Sequence, residues 1–397
     1  MLASLPEALK RDRHEIEFQL AIGMSSLTAK GFGSSEAALA YARARELCEK
    51  RADPQHLFAA LWGLWLSNQS RSASEAARSI SDRLLQLTRT EDDRGWRLQA
   101  HHTAWTTRFF HGEPASCRDH CQKGLRLYDP VMHRSHAALY GGHDPGVCAG
   151  NTLGFVQWLL GYPDMAVASS ANASALAERL AHPFSWSTAH LWAAVLHQFR
   201  REPEASLRRV IAAEVLLTEH RLAAVFNLRV LQGGALLAQG GIKEAVACLG
   251  DGLAEQMTAG QNQLMRQYGF ALLAEALSHA GDFDAALSAA AEGLAVAERS
   301  GERWWEAELY RLKGVLVFSS GASAESEACF VRSIRIARRQ QAKSLELRSA
   351  TSLARLWRDQ EKREQAHELL APVYGWFTEG FDTADLRDAK AVLDELT

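Results

Sequence analysis

Small residues recur inside apolar stretches of this chain at a fixed interval. Gly154, Ala194, Gly234, Ala274, Gly314 and Ala354 follow one another at 40-residue steps, and twelve residues after them a second small residue repeats at Ala166, Ser206, Ala286, Ser326 and Ala366. One copy departs: Val246 stands in register, flanked by Ala245 and Ala247, so a wider helix approach or a one-residue shift is expected there. In LLAEALSHAGDFDAALSAAAEGLAVAE, Leu273, Ala274 and Leu277 mark one helix, Gly281 breaks it, and Ala286, Leu287, Ala290 and Leu294 mark the next. This is a helical hairpin. Two antiparallel helices approach closely only where neither carries bulk, so the small positions predict the contact point of each pair. A lone hairpin leaves one apolar face uncovered, and the next copy covers it, which makes the chain a solenoid.

Punctuation fits the same register. Pro54, Pro114, Pro163, Pro183 and Pro203 stand where helices are due to begin, the position at which a missing N–H costs nothing. Upstream of the strict repeats, three further hairpins are readable at about 10–50, 54–89 and 91–129. The expected organisation is therefore one all-α repeat domain over 1–397. It has less regular repeats over 1–129, an irregular connection at 130–146, regular 40-residue repeats over 147–380 and a capping helix over 381–397. In that last helix Thr383 is the expected N-cap, with Leu386, Ala389, Val392 and Leu393 facing inward. The fold class is a right-handed superhelical solenoid of about nine hairpins, with no sheet.

The small, small and large positions Gly314, Ser326 and Phe330 resemble the tetratricopeptide pattern, lengthened to 40 residues. The strings YDPVMHRSHAALYGGHDPGVC (128–148), GERWWEAELYRLKG (301–314), EACFVRSIRIARRQQAKSLELRSATSLARLWRDQ (327–360) and LLAPVYGWFTEGFDT (369–383) resemble more. They are similar to the C-terminal tetratricopeptide-like region of bacterial multidomain signal-transduction ATPases, which carry a class III nucleotide cyclase or a DNA-binding domain at their other end. The resemblance covers essentially the whole chain. It implies a sensor region that binds an effector or partner and reports to the ATPase or cyclase module. The chain has no GxxxxGK[ST] phosphate loop, no GxSxG elbow and no recognisable cyclase segment, so neither enzymatic activity nor a catalytic residue transfers to it.

Composition narrows the partners. Forty-four Lys and Arg against 47 Asp and Glu give a net charge of −3, without the basic excess of a dedicated nucleic-acid binder. No stretch reaches the roughly 18 apolar residues of a membrane span, and the start has no signal-peptide core, so a cytoplasmic location is expected. Six scattered cysteines without a CxxC pair suggest reduced thiols. The expected partner is a protein, a peptide or the ATPase/cyclase module of a larger protein. A small-molecule effector is the alternative.

Candidate residues come from two places. The connection Asp129–Gly146 contains two Asp-Pro steps and a Gly-Gly, and its length exceeds that of an ordinary link. It is expected to fold back over the concave face, bringing Arg134, Tyr140, His143 and Asp144 near Trp158, with Asp144 alternatively serving only to cap the helix at Pro145. The tetratricopeptide register places Trp158, Gln198, Glu275, His279, Glu308, Arg311, Arg348, Arg355 and Arg358 on the first-helix faces that line the groove. Seven of the 15 histidines fall between His101 and His143, with Cys117, Cys121 and Cys148 nearby. Cys117 and Cys121 share a helix face, so zinc and a helical metalloenzyme are conceivable. Without HExxH or CxxC spacing, the favoured reading is packed thiols and backbone-bonded histidines, with no metal and no cofactor.

Overall fold

Every repeat closes as a pair of antiparallel helices, and the pairs stack in chain order. The structure is a computed structural model that describes residues 8–397 except 91, 225, 259–261 and 320, without the side chains of 8–10 and 28. The expected first region thus begins within it at residue 8. The three early hairpins are α1 (Ala8–Lys30) with α2 (Ser35–Arg51), α3 (Pro54–Ser70) with α4 (Ser74–Leu87), and α5 (Arg94–Phe110) with α6 (Pro114–Leu127). A single short helix, α7 (His136–Leu139), interrupts the connection that follows. The regular hairpins are α8 (Pro145–Leu159) with α9 (Pro163–Leu180), α10 (Pro183–Phe199) with α11 (Pro203–Glu219), and α12 (Leu228–Ala238) with α13 (Ile242–Gln256). They continue as α14 (Arg266–His279) with α15 (Phe283–Ser300), α16 (Glu306–Ser319) with α17 (Ser323–Gln340), and α18 (Lys343–Asp359) with α19 (Arg363–Tyr374). α20 (Ala384–Leu396) covers the last pair, and no strand occurs among the described residues.

The local chemistry explains the boundaries. All five expected prolines open helices, and Pro145 opens a sixth. Asp53, Asp93, Asn227 and Asp282 cap helices by accepting a backbone N–H three residues on. Thr383 differs: it occupies the N-cap position of α20, but its hydroxyl donates to the Gly380 carbonyl instead of receiving a capping bond. The four inward residues expected of α20 are buried.

The small positions do what their spacing requires. A Cβ on Gly154 would stand 3.0 Å from the Ala166 carbonyl oxygen, so the two register positions of this repeat meet directly. In another repeat Ser326 donates its hydroxyl to the Gly314 carbonyl at 2.8 Å. The irregular copy resolves by a one-residue shift: Ala245 is fully buried at the contact, while Val246 is half-buried.

Sequence register says nothing about a second level of packing, in which remote hairpins meet along the axis. Phe109 of α5, Phe155 and Trp158 of α8, Trp192 and Phe199 of α10, Tyr268 of α14 and the Trp304–Trp305 pair before α16 form one buried aromatic column. Ring centroids lie 4.5 Å apart for Phe155–Trp192, 4.9 Å for Phe109–Trp304 and 4.8 Å for Phe199–Trp305. Each such pair adds roughly 0.5–1.5 kcal/mol beyond area burial. Polar contacts close the same seam. Arg303 N donates to the Phe110 carbonyl at 2.7 Å, Gln340 reaches the Arg303 carbonyl at 2.8 Å, and Ser344 donates to the Trp158 carbonyl. Glu379 accepts the amides of Asp164 and Met165 at 2.9 and 3.0 Å, capping α9 from the far end of the chain. Gly380 (φ +73°) lies there against Pro163, where a side chain would be both strained and obstructed.

Two measurements check this packing. Gly154→Leu is expected to cost about 1–3 kcal/mol because the facing atom is backbone and does not move aside. Gly250→Ala, in α13 with nothing within 4 Å, is expected to gain about 0.5–1 kcal/mol. Denaturation midpoints separate the two. The seam also contains Glu302, fully buried, with one carboxylate oxygen accepting from Ser72 at 2.8 Å and the other without a described partner. Burial pushes its carboxyl up from 4.5 to about 7, against the opposing pull of Ser72 and Arg266. A folded value above the unfolded one means that this group's stabilisation is complete below pH 4.5 and is lost as pH rises through 7. Glu302→Gln should therefore leave stability at pH 4 nearly unchanged and raise it at pH 8 by roughly 1–3 kcal/mol, read from paired thermal melts.

Candidate functional site

The aromatic column fills the middle of the solenoid and leaves a cleft of ≈ 650 Å³ between the inner helices of its C-terminal half. Seven of the register-selected residues line it: Gln198, Glu275, His279, Glu308, Arg311, Arg348 and Arg355. The 40-residue repeat brings them together because each occupies the inward face of a first helix, one stacked above the next. Phe199, Tyr268 and Trp305 form an aromatic floor that continues the axial column. Asp385 and Asp388 of α20, with Arg201 and Glu202 from the α10–α11 turn, complete the walls. Sequence reasoning missed these four, having treated α20 as a lid with only an apolar duty. The available signal was Asp385 and Asp388 at i, i+3, on a face other than that of Leu386 and Ala389.

A buried ion network organises the cleft. Arg311 grips Glu308 with two hydrogen bonds, at 2.9 and 2.7 Å. Arg348 contacts the same carboxylate at 3.4 Å, donates to Asp385 at 2.8 Å and to the Phe199 carbonyl, and lies 4.9 Å above the Trp158 ring. One guanidinium thus joins α16, α10, α8 and α20. Burial pulls the Glu308 carboxyl upward, but Arg311 and Arg348 more than offset it and hold the group below its ordinary range. Arg201 pairs with Asp388 at 2.7 Å. Gln198 is similarly committed, accepting from Tyr268 Oη at 2.6 Å and donating to the Leu231 carbonyl at 2.9 Å.

Two charged groups on the walls remain available. Glu275, half-buried, makes no hydrogen bond or ion pair among the described residues. Arg355 is 46% exposed and reaches only to 4.0 Å from Asp388. A cleft with a carboxylate that no described hydrogen bond holds, a loosely held guanidinium and half-buried apolar walls at Ile242 and Leu272 suits a ligand bearing both charges and apolar side chains.

The remaining expected residues lie elsewhere. Trp158 is 2% exposed, covered by Arg348 and packed on Phe199 at 4.9 Å, so its face is not open for stacking. Arg358 pairs with Asp359 and Glu395 and does not line the cleft. The 130–146 connection packs on α3, α5 and the first turn of α10 instead of folding over toward Trp158. Tyr140 stands against Phe58 and Trp62 at 6.2 and 5.2 Å, and His143 against His102 and Phe184 at 5.3 and 6.3 Å. Arg134 is exposed on that connection. Asp144 is 3% exposed and serves as the cap of α8, accepting from Gly146 N, Val147 N and Tyr128 Oη. The apolar floor left by the early hairpins draws the connection toward them. Cys117 donates to the Trp105 carbonyl, and His101 contacts His120 at 2.9 Å.

No protein-family model matches the chain. An uncharacterized protein of Rhizobium meliloti (strain 1021) is 26% identical over 345 residues, 85% of this chain and 33% of that protein. The chain therefore spans about a third of the length of that relative. Solved structures with a similar fold include NprR in complex with its cognate peptide NprX, with a TM-score of 0.53 at 12% identity over 96% of this chain and 99% of that one. The Rap conjugation gene regulator of the plasmid pLS20, in complex with the Phr* peptide, gives 0.53 at 8% identity over 96% and 95%. A Rap protein complexed with Competence and Sporulation Factor gives 0.53 at 11% identity over 85% and 97%. The likeness establishes the fold, a tetratricopeptide-like helical solenoid. No helix among the described residues is long and apolar enough to cross a membrane.

Arg348 supplies the test of this geometry. Arg348→Met is expected to cost about 3 kcal/mol, because it leaves the Asp385 carboxylate only Arg201 at 3.5 Å and weakens the hold on Glu308. Combining it with Asp385→Asn should cost at least about 1 kcal/mol less than the sum of the two single changes, measured as a double-mutant cycle by thermal denaturation.

Proposed function

We propose that the chain is a non-catalytic regulatory scaffold that captures an extended peptide in the C-terminal cleft, as the sensor region of a larger cytoplasmic bacterial signalling protein. The observation carrying this reading is that Glu275, which feels the charges of Arg311 and Arg348 without a described hydrogen bond to either, shares the walls of one cleft with the loosely held Arg355. A peptide presents an ammonium or basic side chain for the first and a carboxylate for the second, and its apolar side chains meet Ala238, Ile242 and Leu272, the less buried apolar residues of the lining. The stated volume lies within the roughly 300–1,000 Å³ of ligand sites. Two solved structures of similar fold are complexes with a peptide, and a third is a complex with Competence and Sporulation Factor, which supports the same mode here. Membership in a larger protein is supported by the relative of which the chain matches a third, and the resemblance of the sequence strings points to an ATPase or cyclase module that would read the scaffold. A metabolite under the 130–146 connection has less support, because the cavity there measures ≈ 60 Å³.

A random library of short peptides selected on the purified chain tests the reading. Enriched sequences should bind the wild type, and Glu275→Gln and Arg355→Ala should each weaken them by about tenfold or more with helicity unchanged, the loss expected of a charge-assisted hydrogen bond. Arg134→Ala and His143→Ala should bind as the wild type does. Selected peptides that bind Glu275→Gln and Arg355→Ala undiminished would overturn the proposal.

A further inference from the structure

The peptide reading leaves unused a buried group that the 130–146 connection brings onto α5 and α8. His102 of α5, His143 of the connection and Cys148 in the first turn of α8 each place one ligand atom within 4.8 Å of the other two. The two imidazole centroids are 5.3 Å apart at an interplanar angle of 72°. Their hydrogen bonds assign the tautomers. His102 Nδ1 meets the Gln99 side-chain oxygen at 3.1 Å and His143 Nδ1 meets the Gly141 carbonyl at 3.2 Å. Both oxygens only accept, so each Nδ1 carries the proton and each ring keeps its lone pair on Nε2. An imidazole whose N–H is held by a carbonyl is the oriented form in which histidine ligates metal. Two such rings and one thiol make a three-ligand set suited to zinc, with a fourth position left open.

The size of the group fits with little movement. Zinc bonds of about 2.0–2.3 Å hold tetrahedral ligand atoms roughly 3.3–3.6 Å apart, so closure of about 1 Å would complete the set. A second observation lies in the adjoining ≈ 60 Å³ cavity, whose wall includes all three residues. The same wall contains Trp62, Gln69 and Ser70, each 2% exposed or less, whose Nε1, Nε2 and Oγ have no hydrogen-bond partner among the described residues. Three polar atoms without a described partner in one mainly apolar wall call for a polar occupant. The cavity exceeds the roughly 10–15 Å³ that one water requires.

We propose that His102, His143 and Cys148 bind one zinc(II) ion, with a water from this cavity as fourth ligand. Binding replaces the Cys148 S–H bond by a sulfur–zinc bond and sends the proton to solvent; nothing is oxidised or reduced. The ion would fasten the connection to α5 and α8.

The test uses the purified full chain stripped with chelator and titrated with zinc against a chromophoric competitor, then with cobalt(II). One ion per chain is expected, with a thiolate-to-cobalt band in the near ultraviolet. Cys148→Ser should abolish the band, while His102→Gln and His143→Gln should each weaken zinc binding by at least about tenfold. Cys117→Ala, at a neighbouring buried thiol, should alter neither. Helicity is followed for every variant, and if Cys148→Ser fails to fold, the half-buried His143→Gln decides. Failure of the stripped chain to take up stoichiometric zinc, a cobalt band that survives Cys148→Ser, or unchanged affinity in His143→Gln would each overturn the proposal.

Discussion

The aromatic axis is the constraint on which the rest of this solenoid depends. Stacked hairpins satisfy their nearest neighbours whatever the curvature, because the small-residue contact at Gly154–Ala166 and its repeats is local. Closure is different. Phe109, Phe155, Phe199 and the Trp304–Trp305 pair come from hairpins up to about two hundred residues apart, and they are buried only when the superhelix winds tightly enough for these to meet. The backbone bonds from Arg303 to Phe110 and from Gln340 to Arg303 follow from that approach. So does the burial of Glu302, a carboxyl that no isolated hairpin would desolvate.

A filled axis decides where a ligand can go. An open superhelix would offer its whole concave face, whereas this one has spent the middle of that face on internal packing. What remains is the C-terminal cleft, and Arg348 marks the boundary between structure and site. Its guanidinium covers Trp158, ties Phe199 and Asp385 together and shares Glu308 with Arg311, so most of the cleft's charge is already neutralised before a ligand arrives. Internal pairing of this kind makes the two less committed groups, Glu275 and Arg355, the discriminating ones. Specificity then rests on spacing between two charges instead of on a uniformly charged surface.

The early hairpins have a separate chemistry. There the 130–146 connection covers the apolar surface of Phe58, Trp62 and Trp65, and its Tyr140 and His143 are absorbed into aromatic packing. Asp144 shows the economy of the arrangement: one carboxylate caps α8 and anchors Tyr128, which leaves it nothing to offer a ligand.

Two kinds of information can be told apart in this protein. The 40-residue recurrence determined the six later hairpins and their contact points, because helix pairing is a local matter of small residues at matched positions, and apolar pattern with proline punctuation gave the three earlier ones. The same register located Gln198, Glu275, His279, Glu308, Arg311, Arg348 and Arg355 on one lining, since a solenoid carries equivalent positions to the same face. It failed for Trp158 and Arg358, where equivalence of position did not decide exposure: one is covered from above by Arg348, the other turned to Glu395. It was silent on Asp385 and Asp388, which lie beyond the last repeat, and it sent the 130–146 connection to the wrong face. Only the tertiary structure decided those points, together with the meeting of His102, His143 and Cys148. Contacts between residues far apart in the chain depend on how tightly the superhelix winds and on which apolar surface an irregular segment covers, and no periodicity encodes either.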